Sequence, residues 1–209
     1  GIDLFGETVP FGVNLLFEVA NLPLLRFHLE ICEDVWVPVP PSSFAALAGA
    51  TVLVNLSASN VVVGKSGYRH QLVGQQSARC MAAYLYTSAG RGESTTDMAW
   101  DGQSLIYEKG ELLAESARFS DESQIIFADV DLERLSHDRM KATTFAQSAR
   151  RHASEVAAFR VVRFELALPV ERTLPLARSI ERFPYVPTDR ARRDERCTEV
   201  YNIQVQALI

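Results

Sequence analysis

The sequence has 209 residues, enough for one large domain or for one domain with a tail, and 47% of them are hydrophobic and 22% charged. Its 21 basic and 26 acidic side chains give a net charge of −5, so the overall charge gives no reason to expect a nucleic-acid partner. Residues 35–64 carry no charged side chain, but prolines, serines and Asn55 interrupt them, so no apolar span of roughly 20 residues is available to cross a membrane.

The first half of the chain is predicted to alternate between strands and helices. In chain order, the predicted elements are a strand at 13–19, a strand at 24–31, a helix at about 42–48, a strand at 50–56, a helix at about 68–82 and a strand at 84–87. Ser42 or Ser43 can cap the first helix, and Gly49 can end it. Strand 50–56 is apolar enough to be buried on both faces. The order β-α-β-α-β implies neighbouring parallel strands with right-handed crossovers, and hence an α/β fold.

The second half of the chain is less regular. Its predicted elements are strands at 103–108 and 112–116 that form a hairpin with Gly110 at the turn, a strand at 124–130, a helix at 131–140 capped by Asp131, and a strand at 159–167. From Pro169 onward, frequent prolines and arginines predict an exposed connector. We therefore predict a domain over residues 1–168 and a connector over residues 169–209.

Cys32 is the main candidate for a functional side chain. It comes at the end of predicted strand 24–31, where α/β enzymes place a nucleophile, because the turn lifts the side chain into the crevice where ligands bind. Loop 55–59 follows the next parallel strand and should face the same crevice. Most free cysteines are buried small hydrophobes. The adjacent carboxylates of Glu33 and Asp34 make a purely structural cysteine less expected here.

A thiol that cleaves an amide needs a base to take its proton and donors for the oxyanion. His28 lies four residues upstream, roughly 13 Å away along a strand, which is too far for a proton transfer. Glu30 lies on the same strand face, roughly 6–7 Å away between Cα atoms, but is expected to point into a core layer. The sequence does not place His70, His137 or His152, so a Cys-His enzyme stays open.

The segment Ile31-Cys32-Glu33-Asp34-Val35-Trp36, followed by Val37-Pro38-Val39-Pro40-Pro41, resembles the active-site cysteine segment of the nitrilase (carbon–nitrogen hydrolase) superfamily. Residues 50–59, 77–84 and 92–102 are similar to the glutaminase domain of glutamine-dependent NAD synthetases. The tail 195–205 is similar to the start of the synthetase domain in that family. These segments occur in the family's order along nearly the whole chain.

The resemblance implies a nitrilase-like α-β-β-α sandwich, of which this chain holds the carboxyl-terminal half. It implies that Cys32 attacks the carboxamide of L-glutamine, forms a thioester and releases ammonia. It also implies that Glu33 and Ser59 contact the substrate. Trp36 is the third candidate for substrate binding, as a wall of the pocket, with a core aromatic as the open alternative. A carboxylate at position 33 is chemically suited to the cationic α-amino group of glutamine.

The resembled family completes its triad with a glutamate and a lysine that precede the cysteine. The residues before Cys32 include glutamates but no lysine, and nothing there matches the family's motifs for the triad. The chain also starts at Gly1 without an initiator methionine. We therefore expect a fragment whose N-terminal half is missing and which does not hydrolyse glutamine alone.

The resemblance implies further partners: a synthetase domain of the same polypeptide that starts within residues 169–209, the missing half of the glutaminase domain, and other copies in a homo-oligomer. No metal site or cofactor is expected in this chain, whereas ATP and Mg²⁺ are expected in the absent synthetase domain. Neither nucleic acid nor a membrane is an expected partner.

Cysteine usage bears on the compartment. Cys32, Cys80 and Cys197 are far apart and form no C-x-x-C pair, and no signal peptide opens the chain, which favours the reducing cytoplasm. Two alternatives stay open at this point. One is a stand-alone nitrilase-type amidase that acts on another amide, and the other is a non-catalytic oligomerisation or scaffold module.

Overall fold

The computed structural model describes residues 1–93, 98–168, 175–178, 180, 186 and 189–208. In chain order, the elements are β1 (Ile2–Leu4), β2 (Glu7–Val9), β3 (Leu15–Val19), β4 (Arg26–Ile31), a 3₁₀ helix (Cys32–Trp36), α1 (Pro41–Leu47), β5 (Val52–Ser57), α2 (Lys65–Cys80), β6 (Ala83–Ser88), β7 (Ser104–Glu108), β8 (Glu111–Glu115), α3 (Leu132–Lys141), α4 (Thr143–Arg151), α5 (Ala153–Ala157), β9 (Arg160–Phe164) and α6 (Arg190–Leu208).

The chain divides into two compact units, Gly1–Pro175 and Leu176–Ile209. The described part of the second unit contains α6. Three prolines of the predicted connector, Pro169, Pro184 and Pro187, lie outside the described residues. The predicted boundary between residues 168 and 169 stays a prediction.

A mixed seven-stranded sheet organises the first unit, with strand order β8-β7-β6-β5-β4-β3-β9. Strands β4, β5 and β6 run parallel and are connected through α1 and α2, which confirms the predicted β-α-β-α-β order. Strand β3 pairs antiparallel with β4 and parallel with β9, while β7 and β8 form the predicted hairpin at the other edge. Because the central strands are parallel, their carboxyl ends meet at one edge of the sheet.

One face of the sheet is covered by α1 and α2 and carries the main core. The sheet contributes buried side chains that include Leu16, Leu53, Tyr84, Tyr86 and Leu105, and the helices contribute Ala45, Ala46 and Val73. The small residues let the helices approach closely. A Cβ atom at Gly74 would lie 3.1 Å from the ring of Tyr107.

The opposite face of the sheet is only partly covered. Leu135 of α3 packs onto Val52 and Ala83 near the amino ends of the strands. Toward the carboxyl ends, large apolar side chains are exposed: Leu29 at 39%, Ile31 at 67% and Leu56 at 48%. The prediction that strand 50–56 is buried on both faces is therefore wrong at its carboxyl end, where alternate residues point to this open face.

The start of α1 differs from the prediction. The helix begins at Pro41, with Pro40 in the capping position and no capping side chain. The fixed φ of proline suits the first turn, so a serine cap is not needed. The backbone N–H of Ser42 instead donates to the carboxylate of Glu30 over 2.9 Å.

The segment 124–130 also differs, because it forms no strand. Ile125 and Phe127 are 79% and 77% exposed, so the apolar alternation of this segment is not paired with the sheet. Helix α3 begins as predicted, with Asp131 accepting from the N–H of Arg134 over 2.9 Å. In the part of the chain that is described, no helix is both long and apolar enough to cross a bilayer.

Candidate active site

Cys32 follows the last residue of β4 and opens the 3₁₀ helix. Its backbone has φ +51°, a left-handed conformation that costs a non-glycine residue roughly 1–2 kcal/mol. The chain therefore turns sharply at the end of the strand, and the thiol is half-buried rather than sealed in the core. This is the strand-to-turn geometry that the nucleophile hypothesis needs, and the chemical role of Cys32 stays a prediction.

Side chains from the neighbouring strand hold this turn. The amide of Asn55 donates to the carbonyl oxygen of Cys32 over 3.2 Å, and the hydroxyl of Ser57 lies 3.6 Å from the Cys32 sulfur. Asn55 pairs with Glu30 in the parallel register of β4 and β5, so residues 55 and 57 reach the turn at residue 32. From within the turn, the carboxylate of Asp34 accepts from the N–H of Ile31 over 2.8 Å.

Glu30 points into the core, as the sequence predicts, and both of its carboxylate oxygens are engaged. One accepts from the backbone of Ser42 and the other from the hydroxyl of Tyr84. Burial, together with the Glu30 charge, raises the pKa of Tyr84 well above its usual value, so its hydroxyl remains a donor. These contacts give Glu30 a structural role and do not make it a base for Cys32.

The histidines lie in other surroundings. His28 is buried against the carbonyl oxygen of Leu15, His70 contacts the hydroxyl of Tyr107, His152 contacts Glu155, and His137 is exposed on α3. Over the described ranges, no histidine is hydrogen-bonded to Cys32. The Cys-His alternative therefore gains no support from the structure.

Lys65 is a site candidate that the sequence analysis missed. It is the first residue of α2, and its ammonium donates to the hydroxyl of Ser59 and to the carbonyl of Asn60, each over 2.6 Å. The same ammonium lies 5.2 Å from the centre of the Trp36 ring. A cation thus joins two of the predicted substrate-binding residues, Trp36 and Ser59.

The electrostatics tie Lys65 to the turn at Cys32. Partial burial, and then the nearby guanidinium of Arg69, lower the pKa of Lys65, while the charges of Cys32 and Glu33 act in the opposite direction. Lys65 therefore lies within electrostatic range of both Cys32 and Glu33. The local sequence does not indicate that Lys65 belongs to the site, because Lys65 comes beside Trp36 only through the course of loop 58–64.

The predicted substrate-binding residues occupy different depths around this cation. Glu33 is exposed in the 3₁₀ helix, whereas Trp36 and Ser59 are half-buried. Trp36 packs against Tyr68, with ring centres 5.2 Å apart. The roles of Glu33, Trp36 and Ser59 in binding a substrate stay predictions.

The described residues contain no set of side chains suited to bind a metal ion. No group of three or more His, Cys, Asp or Glu side chains there could hold a metal ion. The candidate site is instead a thiol on a strained turn, beside a lysine, an aromatic ring and hydroxyl groups.

The family model for carbon–nitrogen hydrolases matches residues 3–140. The chain belongs to the carbon–nitrogen hydrolase family. Among solved structures, the carbon–nitrogen hydrolase from Helicobacter pylori G27 matches 73% of this chain and 55% of that chain, with a TM-score of 0.52 and 18% identity. This likeness confirms the predicted nitrilase-like α/β fold.

Among relatives in the carbon–nitrogen hydrolase family, the chain is 52% identical over 199 residues to the glutamine-dependent NAD(+) synthetase of Mycobacterium leprae (strain TN), covering 95% of this chain and 29% of that protein. It is 49% identical over 207 residues to the enzyme of the same name from Mycobacterium tuberculosis (strain ATCC 25618 / H37Rv), covering 99% of this chain and 30% of that protein. The similarity to this class of synthetase, stated above from four motifs, is thereby confirmed. The chain spans less than a third of the length of these relatives.

Proposed function

We propose that this chain is the glutamine-hydrolysing part of a glutamine-dependent NAD synthetase. The observation that carries the proposal is the half-buried thiol of Cys32 on a left-handed turn at the carboxyl end of β4. The identity of about half of all positions to two synthetases of that name supports the substrate assignment.

The proposed reaction transfers the glutamine acyl group to sulfur. The Cys32 thiolate attacks the carboxamide carbon and forms a tetrahedral intermediate, the C–N bond breaks, and ammonia leaves with a proton from a general acid. Water then attacks the thioester, releasing glutamate and the thiol. The groups that take the thiol proton and stabilise the oxyanion are, by resemblance, a glutamate and a lysine from the missing N-terminal half of the domain.

Two opposite charges near Cys32 suit the two charged ends of L-glutamine. The Glu33 carboxylate is suited to the α-ammonium group. Lys65 is suited to the α-carboxylate, because Ser59 and Asn60 engage two of its three N–H donors and no other described residue takes the third. Trp36 would form a wall of this subsite.

The partners of the proposed activity lie outside the described unit. A synthetase domain of the same polypeptide would use the ammonia with ATP and Mg²⁺, and residues 169–209 would lead into it. The missing half of the glutaminase domain would cover the open apolar face of the sheet around Ile31 and Leu56. We further propose a cytoplasmic homo-oligomer.

The deciding experiment replaces the nucleophile in the full-length protein. Cys32→Ala should abolish glutamine-dependent NAD synthesis and leave ammonia-dependent synthesis largely intact, with Cys80→Ala as the matched control that keeps both activities. Loss of both activities in Cys32→Ala would contradict the proposal. Faster turnover of another amide than of glutamine would favour the stand-alone amidase instead.

The 209-residue chain provides a second test. Because the base and the oxyanion lysine are expected elsewhere, the purified chain should hydrolyse glutamine at a negligible rate. A robust rate from the chain alone would show that the base lies within it.

A further inference from the structure

Three consecutive carbonyl groups in the loop after β5 are each held by a side chain from outside them. The carbonyl oxygen of Ala58 accepts from the indole N–H of Trp100 over 3.0 Å. That of Ser59 accepts from Arg69 Nη2 over 3.3 Å, and that of Asn60 accepts from Lys65 Nζ over 2.6 Å. The backbone around the proposed substrate-binding Ser59 is thus fixed at three successive points.

Arg69 differs from Lys65 in its surroundings. Its side chain and that of Asp101 are both 0% exposed, and Arg69 Nη1 donates to the two carboxylate oxygens of Asp101 over 2.7 Å each. The same Nη1 also donates to Gln103 over 3.2 Å, which leaves Nη2 for the Ser59 carbonyl. Arg69 therefore connects segment 101–103 to the loop at Ser59.

This ion pair is stabilised in its charged form. Burial acts to raise the pKa of Asp101, but hydrogen bonds from Arg69 and from Arg118 outweigh it and lower the pKa. Arg118 contacts Asp101 from the other side, with Nε 3.0 Å from the carboxylate. Asp101 is therefore a carboxylate held between two guanidinium groups, and in the described part of the chain only that of Arg69 is hydrogen-bonded to the loop.

The arrangement is an expensive way to stabilise a fold. A buried ion pair gains little over apolar packing, because both charges lose their hydration. In the described parts of the chain, Arg69 Nε also finds no hydrogen-bond partner, and an unpaired buried donor is a further cost. Such a cost is expected where position rather than stability is required.

We infer that Arg69 is a positioning residue for glutamine recognition, which fixes the Ser59 carbonyl and thereby aims the Ser59 hydroxyl and the Lys65 ammonium at the substrate carboxylate. The inference rests on the proposed function. Arg69 and Lys65 are four residues apart on α2 and share one side of the helix. The buried Arg69 therefore supports the same loop to which the half-buried Lys65 is hydrogen-bonded.

The test uses the full-length protein and Arg69→Lys, which keeps the buried positive charge. An ammonium lacks the planar fork that reaches Asp101 and Ser59 together. We expect the KM for glutamine to rise about tenfold, as for the loss of one charged hydrogen bond, with kcat changed less than about twofold. Ammonia-dependent synthesis and the rate at which iodoacetamide labels Cys32 should not change.

Arg118→Gln is the matched control, because it removes a contact to Asp101 without touching the loop. Its KM for glutamine should stay within about twofold of that of the parent protein. An unchanged KM in Arg69→Lys, or an equal rise in both variants, would overturn the inference.

A double variant separates positioning from folding. In Arg69→Met/Asp101→Leu both buried charges are gone, so the thermal midpoint should recover relative to Arg69→Met, while the raised KM for glutamine should persist. Recovery of KM together with stability would show that Arg69 only neutralises Asp101, and would overturn the inference. If Cys32→Ala retained glutamine turnover, the proposed function itself would fail; if only the Arg69 variants behaved like the parent, the function would stand.

Discussion

Cys32 and Cys80 are the same chemical group at opposite ends of the parallel strands. Cys32 follows β4 at the carboxyl edge, half-buried and within 3.6 Å of a hydroxyl. Cys80 ends α2 just before β6, is 4% exposed, and burial raises its pKa to about 12. The carboxyl edge leaves a thiol accessible beside polar groups, whereas the amino edge encloses one among helices.

The backbone conformation contributes to the difference in exposure between the two thiols. Cys32 itself is left-handed, at φ +51°, and so is Met81, at φ +46°, the residue after Cys80. At residue 32 the turn carries the thiol out of the strand, while at residue 81 it ends α2 and leaves the preceding thiol inside. Of these two left-handed residues, only Cys32 carries a thiol on the turn itself.

A cavity is also insufficient evidence of a site. One of about 280 Å³ borders Cys80, with Phe145 and Ala46 in its lining. A thiol with a pKa of about 12 supplies almost no thiolate at neutral pH, so this cavity has no nucleophile to offer. The surroundings of Cys32 are the better candidate because of their chemistry, a half-buried thiol beside the Ser57 hydroxyl.

The strongest test of the comparison is selective alkylation. In the folded protein near pH 8, iodoacetamide should label Cys32 readily and Cys80 about a thousandfold more slowly than when the chain is unfolded, since burial raises the pKa of Cys80 from 9.0 to about 12. Peptide mapping by mass spectrometry measures both rates, with a urea-unfolded sample as control. Equal labelling of the two cysteines in the folded protein would remove the distinction.

The next test breaks the turn at Cys32. Asn55→Ala removes the amide that holds the Cys32 carbonyl, so glutamine-dependent turnover in the full-length protein should fall by about 10–100-fold through misplacement of the thiol. Ser77→Ala is the matched change beside Cys80, because it removes a buried hydrogen bond to Ala82. It should lower stability and leave that turnover within about twofold, and a drop in both variants would contradict the assignment.

A smaller effect is expected in the pH dependence of stability. The folded pKa of Cys80 lies above the unfolded value of 9.0, so its contribution to stability is complete below pH 9 and is lost as the pH rises toward 12. The loss is about 1.4 kcal/mol per pH unit in this window. Urea unfolding at several alkaline pH values should give a shallower decline for Cys80→Ala than for the parent chain; identical slopes would rule out a sealed thiol.

The smallest expected change in stability is at the left-handed turn of Met81, and it is compared with the turn of Cys32. Met81→Gly relieves backbone strain and should raise the free energy of unfolding by about 1 kcal/mol with no change in glutamine turnover. Cys32→Gly relieves the same kind of strain but should abolish that turnover. Urea midpoints and activity measured on both variants test this, and an effect of Met81→Gly on turnover would count against two independent turns.

The sequence suffices to predict the elements that local patterns encode. The apolar run before Cys32, the glycine at the β7–β8 turn and the Asp131 cap each have a local physical signal, and the corresponding elements are present. The prediction of a strand at 124–130 is wrong because alternation of apolar and polar residues indicates a strand only where a partner strand exists. Its Ile125 and Phe127 face solvent instead.

The candidate site was less accessible to sequence reasoning than the fold. Cys32 could be placed because it ends a strand. Lys65 and Arg69 gain their significance from their contacts with the loop at residues 58–60, and the partners of Arg69 lie up to 34 residues away along the chain. The contacts of Glu30 with Tyr84 likewise depend on the strand order, which no local spacing encodes.

The three fixed carbonyls at residues 58–60 constrain the loop in length more than in composition. Trp100 holds one of them, and Lys65 and Arg69 of α2 hold the other two. The side chains between Ser57 and Lys65 other than that of Ser59 can therefore be exchanged while these donors still find their acceptors. One inserted or deleted residue would shift the three carbonyls and break their hydrogen bonds to all of these donors at once. We therefore expect this loop to accept point substitutions at positions other than Ser59 and to reject insertions and deletions.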